Sequence, residues 1–137
     1  MKNELKERCA QIEETYEFML AYAAQGLRTE PGSGSSSQIR TFLKTADDAL
    51  TGLADLFTKI VKADAISPSA PYDTFIAVLG RDASDARAAI GLALAQPSIS
   101  SQLVDNLNAS IHLRALLTDL FLIDEIVRPE AASQPDA

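Results

Sequence analysis

Cys9, Ile12, Tyr16, Met19 and Ala23 follow one another at intervals of four, three, four and three residues, which lays an apolar stripe along one side of a helix. Three later stretches keep the same rhythm between segments rich in Pro, Gly and Ser. The first helix is predicted over 3–25, with Gly26 placed to take the left-handed conformation that ends helices. The second is predicted over 39–62. Its seam runs through Ile39, Leu43, Ala46, Leu50, Leu53, Phe57 and Ile60, widened by Phe42, Ala49 and Leu56. Ser35 or Ser36 can cap its start, and Ser35 with Gln38 fits a capping box.

Pro68 and Pro71 interrupt the chain, because proline cannot donate a helical hydrogen bond and disfavours helix in the residue before it. The third helix then follows Ile76, Leu79, Ala83, Ala86, Ile90 and Ala93, a seam of small residues. Asp82 or Ser84 can cap a restart after Gly80, yet the seam keeps register from Leu79 to Ala83, which favours one continuous helix. The fourth helix is predicted over 99–127, stopped by Pro129. These elements describe an all-α fold, an antiparallel up-down-up-down four-helix bundle. It forms one domain over 1–128, with a flexible loop at 28–37 and a disordered tail at 129–137.

The fourth helix departs from the others. Leu103, Val104, Leu107 and Ile111 form one stripe, but from Leu113 the dense stripe becomes Leu113, Leu116, Leu117, Leu120, Ile123 and Val127, on another side. Leu122 and Ile126 add apolar surface beyond it. A helix apolar nearly all round is normally buried all round, so a second chain is expected to pack there, most simply as a homodimer. The expected interface residues are Leu113, Leu116, Leu120, Ile123, Asp124 and Val127, with Phe18 and Tyr22 on the first helix enlarging the patch or lining a separate groove. Asp124 can pair with Arg128 four residues on.

Composition narrows the function. The chain has 137 residues and 47% hydrophobic content, enough for a single core. A net charge of −7 works against binding phosphate backbones or anionic lipid, so neither nucleic acid nor membrane is an expected partner. Cys9 is the only cysteine, which rules out an internal disulfide and fits a reducing cytoplasm. The charged N-terminus lacks the apolar region of an export signal.

The candidate chemistry is thin. A carboxylate-bridged di-iron site needs two Glu-x-x-His pairs, whereas this chain has one histidine, preceded at that spacing by Ala109. Histidine phosphotransfer domains carry Lys and Gly three and four residues after the histidine; after His112 those positions hold Ala115 and Leu116. Glu13, Glu14 and Glu17, Asp47 and Asp48, and Asp82 with Asp85 read as solvated faces. No cofactor, metal or catalytic residue is expected. The reading that follows is a non-enzymatic cytoplasmic interaction module, an adaptor, regulator or chaperone-like binder, that homodimerises through its fourth helix. The alternative is a small-molecule-binding bundle or enzyme with an inter-helix pocket around Arg114, lined by Tyr16 and Met19.

Overall fold

A computed structural model describes residues 1–32 and 37–127, which are helical without a strand. Six helices follow in order: α1 (Lys2–Ala24), α2 (Gln38–Leu50), α3 (Leu53–Ala63), α4 (Ala70–Leu94), α5 (Ser101–Ala109) and α6 (Ile111–Ile126). Two of the four helices predicted from the hydrophobic pattern are therefore each divided in two, and both divisions have local causes. The predicted tail, Pro129, Arg128 and the caps at Ser35 and Ser36 lie outside the described residues.

The second predicted helix breaks at Thr51 and Gly52. Thr51 turns extended and Gly52 takes the left-handed conformation at φ +72°, which glycine adopts without the Cβ clash other residues suffer. The carbonyls freed at the end of α2 do not go unpaired. Arg8 reaches across from α1 and donates to the Thr51 and Ala49 carbonyls, a cation at the negative end of a helix. The seam survives the break: Ile39, Leu43, Ala46, Leu50, Leu53, Phe57 and Ile60 are all buried.

The fourth predicted helix breaks at Ser110, whose extended backbone ends α5 while its hydroxyl caps α6 by accepting from the Leu113 N–H at 3.3 Å. A new cap starts a new rotation. The shift in the apolar stripe after Ile111 is thus the mark of a helix boundary. By contrast α4 runs unbroken through Gly80, as its seam predicts. A Cβ at Gly80 would stand 3.6 Å from Ala54 Cβ, an ordinary contact, so α3 and α4 lie close here with room for a methyl group between them.

In α1 the buried row is Leu5, Cys9, Ile12, Thr15, Met19 and Tyr22, with Tyr16 and Ala23 moved to a half-buried flank. Thr15 takes the inner place because its hydroxyl finds the carbonyls of Gln11 at 3.0 Å and Phe42 at 3.1 Å. Gly26 adopts φ +67° just past the helix, as predicted. α1 packs on α2 and α5, and α4 packs on α2, α3 and α6, around one connected core.

Candidate functional site

α6 is the element with two apolar faces. Its capping at Ser110 aims the dense stripe at α4, so Leu113, Leu116, Leu120 and Ile123 are buried in the chain's own core. This corrects their assignment to an interface: no second chain is needed to cover them. Val127 is half-buried beside this row. Asp124 is exposed on the flank towards α1, where it meets Glu13; its expected partner Arg128 lies outside the described residues. Burial first, and then the charge and hydrogen bond of Asp124, raise the Glu13 carboxyl above its ordinary range.

The surplus apolar surface lies on the opposite side. Ile111 is 73% exposed, Phe121 58%, Leu122 52% and Ile126 53%, among the exposed Arg114, Thr118 and Glu125. Next to Ile126 an apolar groove of about 260 Å³ is lined by Phe57, Pro71, Tyr72 and Phe75. Neither Arg114 nor Glu125 has an ion pair among the described residues, whose bridges are Lys2 to Asp64, Arg8 to Glu4, Arg40 to Glu30 and Arg87 to Asp47.

Phe18 and Tyr22 belong elsewhere. The Phe18 ring stacks on Phe42 with centroids 4.3 Å apart, and the buried Tyr22 donates its hydroxyl to the Ile99 carbonyl at 2.6 Å. Both tie α1 to its neighbours. The pocket expected around Arg114 is likewise corrected: Arg114 is exposed, and Tyr16 and Met19 line a cavity of about 10 Å³ that does not include it. That space is near the smallest that holds one water. Cys9 is buried, and burial, followed by the charges of Asp124 and Glu13, pushes its thiol up to about 12, which leaves it unreactive at neutral pH. His112 is exposed.

Two buried polar groupings escaped the sequence reading. Glu30, in the loop after α1, accepts from Arg40 Nε and Nη2 at 2.9 Å each, from the Ile99 N–H at 2.7 Å and from the Ser37 hydroxyl. Arg40 also donates to the carbonyls of Leu94 at 2.8 Å and Gln96 at 2.6 Å, at the end of α4. Four of the five Arg40 N–H groups and both Glu30 oxygens are engaged, and the side chains are nearly closed to solvent, so the pair clamps the loop after α1, α2, the end of α4 and the segment before α5 together.

The second grouping joins α4 to α6. Asp119 is buried with its Oδ2 unpaired among the described residues, and the neighbouring Asp82 is half-buried, which corrects the reading of Asp82 as a solvated carboxylate. Burial, then the hydrogen bond and charge of Asp82, push the Asp119 carboxyl up to about 7. Two carboxyls sharing a proton can serve general acid catalysis, but no further His, Cys, Asp or Glu among the described residues joins them as a metal-binding group. A cleft of about 480 Å³ between Gly26 and Arg28 on one side and Ser100 to Asp105 on the other contains neither grouping. No helix among the described residues is long and apolar enough to cross a membrane. Compared with protein families, with curated proteins and with solved structures, the chain matches none.

Proposed function

We propose that this chain is a non-enzymatic interaction module, a cytoplasmic adaptor, regulator or chaperone-like binder, that forms a homodimer through the outer face of α6. In this reading the six helices make an up-down-up-down four-helix bundle whose second and fourth members are broken. The observation that carries it is the cluster of four large apolar side chains on the outside of one helix, each more than half exposed. Large apolar side chains left exposed along one face of a helix mark a place of association. The competing reading, a ligand pocket at Arg114, loses its support with that side chain in solvent.

α6 is about 24 Å long at 1.5 Å per residue, a small contact for a specific complex. Dissociation is therefore expected in the micromolar range, on the order of 1 to 100 μM. Sedimentation velocity across that range tests the proposal. The wild type should pass from monomer to dimer, and Phe121→Glu should stay monomeric with unchanged helicity and melting temperature. A wild-type monomer at several hundred micromolar overturns it.

A further inference from the structure

We infer that the second copy lays its α6 antiparallel across this one, in a register set by Arg114 of each chain meeting Glu125 of the other. This rests on the homodimer reading above and specifies its geometry. At about 100° per residue the outer face of α6 divides into two adjacent rows, Ile111, Ala115, Leu122 and Ile126 in one and Arg114, Thr118, Phe121 and Glu125 in the other. All are exposed except the half-buried Ala115.

The charges choose the direction. The cation of this face, Arg114, stands in the N-terminal half and the anion, Glu125, in the C-terminal half, and neither has an ion pair among the described residues. A parallel two-fold pairing would set Arg114 against Arg114 and Glu125 against Glu125. An antiparallel pairing opposes unlike charges twice and also aligns the helix dipoles favourably.

The apolar row is compatible with nearly the same register. If Arg114 meets Glu125, Thr118 meets Phe121, and both pairs are centred midway between residues 119 and 120. The neighbouring row is centred one residue earlier, so that its opposed positions lie about 3 Å out of level at 1.5 Å per residue: Ile111 comes nearest Ile126, and the small Ala115 nearest the large Leu122. The second copy's Ile111 then arrives beside the groove lined by Tyr72, Phe75, Phe57 and Pro71, so the contact gains apolar area beyond the two helices. A two-fold axis requires each contact to occur twice; the charged row sets the register and the apolar row follows it to within about 3 Å, less than one helical turn.

Charge reversal tests it. Arg114→Glu and Glu125→Arg should each weaken the dimer roughly tenfold, because each places two like-charge pairs in the contact. The double variant Arg114→Glu/Glu125→Arg restores both pairs in the same symmetric dimer and should return the dissociation constant to within about threefold of wild type. Both substitutions are at exposed positions, and unchanged melting curves of the three variants confirm that folding is unaffected. If the single variants dimerise as wild type does while Phe121→Glu is monomeric, the register is wrong and the homodimer stands. If the double variant fails to recover, the pairing is wrong. A monomeric wild type overturns both.

Discussion

Removing Arg40 exposes how much of this fold hangs on one buried ion pair. The side chains of Glu30 and Arg40 are 5% and 10% exposed, and the carboxylate keeps only the Ser37 hydroxyl and the Ile99 N–H when the guanidinium is gone. Leaving one charge of such a pair uncompensated costs about 3 to 5 kcal/mol. The Leu94 and Gln96 carbonyls also lose their donors, at about 1 kcal/mol each where water does not replace them, and both lie at a helix end that water can enter. Arg40→Met should thus cost about 4 kcal/mol of a total of roughly 5 to 15 kcal/mol. For a chain of this size that lowers the melting temperature by about 12 °C.

The double variant Glu30→Leu/Arg40→Met separates the pair from its packing. It removes the stranded charge, so it should be no less stable than Arg40→Met, and the two single costs should exceed the double by about 2 kcal/mol or more. Urea unfolding followed by circular dichroism measures all four proteins. An Arg40→Met cost below about 1 kcal/mol, or strict additivity, refutes the argument. Acid provides a second check. Burial alone would raise the Glu30 carboxyl, but hydrogen bonds from Arg40, Ser37 and Ile99, with the Arg40 charge, outweigh it and hold the group below its ordinary value of 4.5. A depressed carboxyl stabilises the fold above its unfolded value, and that contribution is lost as pH falls through the folded value. Wild type should lose stability below about pH 4.5 more steeply than the double variant.

Asp119 works in the opposite sense. Its carboxyl is raised from 3.8 to about 7, so its contribution is complete below the lower value and lost as pH rises to the upper one. Asp119→Asn should match wild type near pH 4 and exceed it in urea midpoint at pH 7.5; parallel pH profiles would contradict this. Asn108 is buried with neither amide atom hydrogen-bonded among the described residues, so Asn108→Leu should stabilise by about 1 to 2 kcal/mol, and a lower melting temperature would show that the amide has a partner. The two interior glycines should respond oppositely to alanine. Gly80→Ala meets Ala54 at an ordinary 3.6 Å and should gain up to about 1 kcal/mol, while Gly52→Ala is held at φ +72° and should lose about 1 kcal/mol. Equal responses in thermal melts would undo that distinction.

The apolar seams were legible because period alone carries them: every predicted seam residue from Ile39 to Ile60 is buried, and α4 keeps its register through Gly80. The break at Thr51 and Gly52 was not, since the seam runs on across it and the side chain that satisfies the broken end, Arg8, comes from another helix. Glu30 sits in a Thr-Glu-Pro-Gly stretch that reads as solvated loop, and its partners Arg40 and Ile99 lie 10 and 69 residues away. No local pattern announces such a group. Asp119 did leave a trace: it stands three residues after Leu116 and four before Ile123, in line with two buried positions, where an acid needs a partner.

Ser110 explains why α6 has one face for the core and another left over. In a helix continuous from Ser101, the stripe of Val104 and Leu107 would fix which side of the following turns faces inward, with Ile111 continuing that stripe. The break releases that constraint: α6 starts afresh from its own cap, turns Leu113, Leu116 and Leu120 to α4, and leaves Ile111 the most exposed of the large apolar side chains. The surplus apolar surface and the broken helix therefore have one origin. The dense stripe that first suggested a partner is the chain's own core, and the proposal of a partner now rests on Ile111, Phe121, Leu122 and Ile126, which the core leaves uncovered.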